Sequence, residues 1–315
     1  MQEININKHS DIIDDQIDLK ELFFALIKGK WVIISLTATL SIVGLIYSLS
    51  LPNIYESKAI IVPAKQSSGI SGALRAYGGL AGIAGINLSS NSGEGNAGKA
   101  LKTLSSLSFF ENRIINNIFL PDLMAVKSWD LNSNELRYDE SIYKSKNNTW
   151  VRDFSFPKKQ IPSAQESFRT FKTKHLNVSE DKSSGFITVS IKHQSPFIAK
   201  QWAELIINEV NAFYREKDKL ESEKAVSYLN KQISMTSLSE IKQVIAELLQ
   251  EETQKLTLIE ANQSYVFDYI DPPAVMEQKS EPRRAIICIL SAIFGGVLGI
   301  FIVLIRHYFL NEKIA

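Results

Sequence analysis

The sequence predicts an α+β protein in which two transmembrane helices flank an extramembrane α/β domain bearing a long protruding helical hairpin. Three observations predict it. Two stretches of 21 residues carry no charge, Trp31–Leu51 and Ala285–Ile305. Between them lie 233 residues, Pro52–Arg284, in which alternating and helical apolar spacings are mixed. Near the end of that region a helical stripe runs on from an apolar face into a charged one, with a second helix directly behind it.

The first element is a tail, residues 1–30, followed by the first span, 31–51. The length matches the ~20 apolar residues needed to cross about 30 Å of hydrocarbon, and lipid obliges the backbone to satisfy itself, hence a helix. The run is too long for a signal-peptide core, and no small-x-small cleavage site follows Leu51, so it reads as an uncleaved anchor. The second span, 285–305, precedes a short tail, 306–315. Two spans put both termini on one side and residues 52–284 on the other. Lysines and arginines flank the spans equally on both sides, and long loops translocate regardless of charge. Both tails are short, so the large loop carries the work. The 315-residue chain has a formal charge of +1, which gives no basic excess for a nucleic-acid partner. Its single cysteine, Cys288, lies inside the second span and allows no intrachain disulfide.

Within the loop, residues 53–64 end in a β-branched run stopped by Pro63 and predict a strand. Residues 66–98 hold most of the chain's fifteen glycines and predict a flexible loop. A helix resumes near Lys99, with Leu101, Leu104, Leu107 and Phe110 at helical spacing, and stops at Pro121. Residues 122–160 are polar and aromatic and suggest no element. A short helix follows Pro162. Residues 175–193 alternate on both sides of a glycine turn and predict a β-hairpin with one buried face.

Residues 196–262 predict the helical hairpin. Ser195 suits an N-cap and Pro196 the first helical position. Ile198, Trp202, Leu205, Ile206, Val210 and Phe213 form one stripe. Arg215–Lys224 then turns charged, with i,i+4 pairs Lys217–Glu221 and Lys219–Glu223. The sequence Ser237–Glu240, "SLSE", is a capping box for the second helix, whose Ile241, Ile245, Leu248, Leu256 and Ile259 line one face. Val226, Leu229, Ile245 and Leu248 exceed what two thin helices bury on each other, which predicts contact with another subunit. A strand at Tyr265–Ile270 and a proline-rich exit, 271–284, lead back to the membrane. Pro272, Pro273 and Pro282 forbid regular pairing and favour stiff, extended chain.

Chemistry is sparse. "GEGNAGKA", residues 93–100, falls one residue short of a phosphate-binding P-loop: Ala100 stands where a hydroxyl would hold Mg²⁺, and no strand precedes it. His175 and His193 can face each other across the hairpin, most simply as a polar pair. No catalytic constellation, metal set or cofactor motif is legible. Gly295 and Gly299 make a G-x-x-x-G in the second span, and Gly44 and Ser48 a small-xxx-small in the first, spacings that let helices approach closely. This glycine face is expected to touch the first span or a partner protein.

The order of these pieces resembles the Wzz chain-length determinants, the polysaccharide co-polymerases of Gram-negative bacteria. "IDLKELFFALIKGKW" is similar to the family's entry to its first span, and "SWDLNSNELRYDESIY" and "NTWVR" to its middle. "GFITVSIKHQSPFIAKQWAELIINEVN" is similar to its hairpin and long helix, and "YIDPPAVMEQKSEPRRAII" to its exit. Gln278 and Lys279 depart from the pattern, standing where relatives often carry another proline. The resemblance implies a non-enzymatic regulator of O-antigen or lipopolysaccharide chain length, without cofactor. It implies a homo-oligomeric ring in the lipid of the inner membrane, with the large domain periplasmic and both tails cytoplasmic. The implied partners are a Wzy-type polymerase and its undecaprenyl-diphosphate-linked glycan. A capsule or exopolysaccharide export adaptor shares this membrane layout and is the nearest alternative.

Overall fold

The computed structural model describes residues 19–64 and 92–311. Two compact units make up the chain: residues 1–51 with 282–315, and residues 52–281.

The first unit is a pair of long apolar helices. A short helix, α1 (Leu19–Lys28), occupies part of the expected tail. Gly29 leaves helical geometry, and α2 (Lys30–Ser50) follows. The C-terminal helix of this unit, Arg284–Asn311, extends past the expected span. Both helices are long and apolar enough to cross a membrane. Their outward faces are apolar, with Ile42, Val43, Ile46, Ile289, Ile293, Phe294, Val297 and Phe301 all exposed. Water gives no return for such a surface, and hydrocarbon does. Two hydroxyls midway along α2 are satisfied by its own backbone: Thr37 Oγ1 donates to Ile33 O at 2.8 Å and Ser41 Oγ to Thr37 O at 2.7 Å.

The second unit is built on a four-stranded antiparallel sheet. Its strands are β1 (Tyr55–Pro63), β6 (Leu176–Glu180), β7 (Ile187–His193) and β8 (Phe267–Asp271), in the order β6-β7-β1-β8. Ala59, Ile61, Ile187, Val189, Ile191 and Phe267 bury one face of it. Across that face lies the first half of a 40-residue helix, Pro196–Met235. The buried stripe of this helix is wider than its large apolar residues suggest, because Ala199, Ala203, Ile207 and Tyr214 join Trp202, Ile206 and Val210.

One polar residue sits in that stripe. The Asn211 side chain donates to Phe267 O at 3.0 Å and accepts from the amides of Val266 and Phe267 at 2.9 Å each. It thereby supplies the backbone pairing that the start of β8 would otherwise lack.

Several expectations are corrected. Of the expected loop 66–98, residues 66–91 lie outside the described residues, and 92–98 open a helix, α3 (Ser92–Leu104). Ala97, Ala100 and Leu104 lie 3 and 4 apart and are buried in the core, which rewards a helix despite its glycines. The stretch 122–160 folds as two small hairpins, β2 (Val126–Asp130) with β3 (Glu135–Tyr138), and β4 (Tyr143–Lys144) with β5 (Thr149–Trp150). Ser195 takes the N-cap position with Pro196 behind it, but its side chain makes no cap bond. The capping box "SLSE" does not form: Leu238 is the cap residue of the next helix, Ser239–Ala261, and no side chain bonds its amides. Thr236 and Leu238 both take extended backbone, which keeps Ser237 off the cap position.

Candidate functional surfaces

The helical hairpin is held at its base. The Arg113 guanidinium pairs with Glu216 and reaches Glu209 at 3.8 Å. Lys219 Nζ meets Glu260 Oε1 at 2.9 Å, bridging the two helices, and the Tyr265 hydroxyl donates to Asp218 at 2.7 Å. Farther out the polar ties thin, and apolar packing remains. Ile245 and Ile259 are buried between the helices, and Val226 and Leu229 are half-buried. Leu248 is not with them. It is 44 % exposed, on an outer stripe with Ile241 and Val244. The single face read from the sequence is therefore two: Ile245 and Ile259 inside, Ile241 and Leu248 outside. Positions 3 or 4 apart share a helix flank, so spacing alone could not tell the seam from its neighbour.

The glycine face of the second span packs on the first span of the same chain. A Cβ at Gly295 would stand 2.8 Å from Thr37 Cα, and one at Gly299 would stand 2.9 Å from Ile33 Cα. Gly44 and Ser48 are buried in the same interface, Gly44 opposite Ser291, and Gly29 faces Val303. The helices run antiparallel, with each glycine admitting the partner's backbone or small side chain. This is the close approach that small residues permit in lipid.

The proline-rich exit does not run free. Pro273 is buried, while Pro272 is exposed and Pro282 half-buried. Ser57 Oγ donates to Ala274 O at 2.8 Å, and the amide of Ser280 donates to Ile54 O at 2.8 Å. Ile54 and Glu281 form an antiparallel bridge. Residues 272–280 form no strand; the segment lies back on the start of β1 through residues between its prolines, which keep their donors.

The two histidines do come together, with ring centroids 5.6 Å apart and both against Trp202. The Ser195 amide donates to His193 Nδ1 at 3.0 Å, which leaves Nε2–H to donate to Asp122 O at 3.0 Å. His175 Nδ1 lies 2.7 Å from Lys192 O. Burial lowers both pKa values to about 4, so the rings are neutral in the fold. Nearby, burial raises the Asp122 carboxyl, which accepts from Tyr138 at 2.6 Å. The arrangement fastens a loop to the sheet; its ring nitrogens serve backbone groups rather than a reacting atom.

"GEGNAGKA" lies within α3. Because the stretch is itself helical, it is not the loop between a strand and a helix that a P-loop requires.

Residues 15–112, covering the first span, β1 and the α3 region, match the family model of the Wzz chain length determinant proteins. No curated protein matches this chain. Two solved structures are similar to it in outline. One is a full-length bacterial polysaccharide co-polymerase, at 16 % identity and TM-score 0.41, covering 93 % of this chain and 99 % of that one. The other is a fragment of WzzB, a polysaccharide co-polymerase from Salmonella Typhimurium, at 15 % identity and TM-score 0.36, covering 73 % of this chain and all of that one.

Sequence reasoning missed two features, one buried and one exposed. One is Asn211, whose only signal was a polar residue four positions after Ile207 in an apolar stripe. The other is the exposed stripe Leu238, Ile241 and Val244, visible only once the hairpin seam is known.

Proposed function

We propose that this chain is a Wzz-type, non-enzymatic regulator of surface-polysaccharide chain length, setting the modal length of an O-antigen or lipopolysaccharide glycan. It is a two-span protein of the bacterial inner membrane with both termini cytoplasmic and residues 52–281 in the periplasm. It works as a homo-oligomeric ring beside a Wzy-type polymerase that extends an undecaprenyl-diphosphate-linked glycan. The observation that carries this reading is the family match over residues 15–112. The paired apolar helices and the outer stripe of the hairpin support it. The stripe, which includes Leu248, offers neighbouring copies an apolar surface, and Val226, Leu229 and Ile245 pack within the hairpin that carries it. The glycine seam of Gly295 and Gly299 sets how the span pair presents itself to lipid and polymerase. Pro272, Pro273 and Pro282 fix the path between span and sheet. The experiment is the surface-glycan ladder of a strain lacking this gene, with and without the chain supplied in trans. A shift from an unregulated to a modal distribution is expected; an unchanged ladder overturns the reading.

A further inference from the structure

The turn between β2 and β3 is built to hold a leucine in solvent. Asp130 Oδ1 accepts from the amides of Asn132 at 2.9 Å and Ser133 at 3.4 Å, and Asp130 Oδ2 accepts from Arg137 at 2.6 Å. Asn134 takes φ +55°, and its Oδ1 accepts from the Trp129 indole at 3.0 Å. These ties fix the turn while Leu131 at its tip stays 73 % exposed. The adjoining Trp129 ring is 5.4 Å from Tyr55 on one side and 6.3 Å from Phe197, itself exposed, on the other. Pinning an apolar tip in water gains nothing in folding, so the order of this turn asks for a surface that receives it.

Its position names that surface. Tyr55 is five residues beyond Ser50, so at most about 18 Å of extended chain separates it from the end of the first apolar helix. The Ile54–Glu281 bridge brings the other connection to the same place, and Glu281 is three residues, about 10 Å at most, from the start of the second. Trp129, Leu131 and Phe197 therefore sit at the end of the domain that both chain connections leave. We propose that this tip, Leu131 with Trp129 and Phe197, docks into the headgroup region of the bilayer. A tryptophan with a bonded N–H beside apolar tips fits that zone, where amphipathic aromatics settle. Arg137, bonded to Asp130 through one nitrogen but with its side chain 71 % exposed, has further donors beside the tip for a lipid phosphate. The inference rests on the two-span reading given above.

The test uses the full-length chain in vesicles of phosphatidylethanolamine and phosphatidylglycerol, with an environment-sensitive NBD probe. Cys288→Ala supplies the background for Leu131→Cys, Phe197→Cys and, on the exposed hairpin, Lys231→Cys. Lipid carrying a quencher near its headgroup should quench the 131 and 197 probes at least about twofold more than the 231 probe, as interfacial insertion requires. Equal quenching at all three sites overturns the proposal. So does a blue-shifted 131 probe that lipid does not quench, since that reports burial against another protein copy. Wild-type Cys288 is tested separately with a membrane-impermeant maleimide. If Cys288 is shielded and the 131 probe is wet, the docking alone fails; if Cys288 reacts freely, the two-span reading fails and the docking with it.

Discussion

Replacing Gly295 and Gly299 with leucine should separate the two apolar helices without removing either. At these positions even an alanine Cβ would stand 2.8 Å from Thr37 Cα and 2.9 Å from Ile33 Cα. Carbon atoms ordinarily rest near 3.5–4.0 Å apart, so alanine alone demands about 1 Å of retreat by rigid backbone. Leucine adds a branched side chain and moves the pair toward the ordinary helix spacing of about 8–10 Å. Close dispersion packing along the seam is then given up, and association weakens by about 1–2 kcal/mol, the scale of helix pairing in lipid. Insertion is unaffected, because leucine is favoured in hydrocarbon. Spin labels at Ile46 and Ile289, both on the outward faces, read the separation by dipolar spectroscopy in nanodiscs, on a Cys288→Ala background. The double leucine variant should widen the distance by about 2 Å or more, and single alanines by about 1 Å. An unchanged distance in the double variant would refute the seam as the interface between the spans.

Other consequences follow from the same geometry. Asn211→Leu removes three buried hydrogen bonds and should cost about 3–9 kcal/mol at ~1–3 kcal/mol per stranded group, seen as faster amide exchange at Val266 and Phe267 and a lower unfolding midpoint; unaltered protection there would show that the clamp is dispensable. His175 and His193 are neutral in the fold with pKa values lowered to about 4. The unfolded chain therefore binds more protons than the fold, and stability should fall as pH drops from about 6.5 toward 4, by a few kcal/mol in all. Melting curves of wild type and the doubly glutamine-substituted protein should diverge across that window, and parallel pH profiles would contradict the burial of the pair. Leu248→Asp, on the exposed stripe, should leave the monomer's melting unchanged but reduce the oligomer's mass in native mass spectrometry; an intact oligomer would place the copy-to-copy interface elsewhere.

The parts legible from sequence were those where a local pattern has one physical solution. A charge-free run of 21 residues at 31–51 admits little but a span. Ile187, Val189 and Ile191 alternate, and alternation has one sheet face to bury. The parts that escaped depend on distant partners. Residues 122–160 show no period because their strands are only two to five residues long and are fixed by side-chain ties between segments, such as Asp122 with Tyr138 and Glu166 with Arg152. The glycines of 92–98 suggested a loop because the core that buries Ala97 and Ala100 is assembled from other segments. In the site, Gly295 and Gly299 were visible as a face, but only the fold shows Ile33 and Thr37 against them. Leu248 was misplaced because seam and flank share the same spacing, and which one is buried is decided by the facing helix.

Chain-length control is tested most directly by the glycan ladder itself. A strain lacking the chain receives wild type, the Gly295→Leu/Gly299→Leu variant, or the Asn211→Leu variant, each matched for membrane abundance. A modal band restored by wild type and lost with either variant is the predicted result, since on the proposed function both the span seam and the sheet clamp shape the assembly that meets the growing glycan. A ladder that wild type leaves unaltered would contradict chain-length control by this protein.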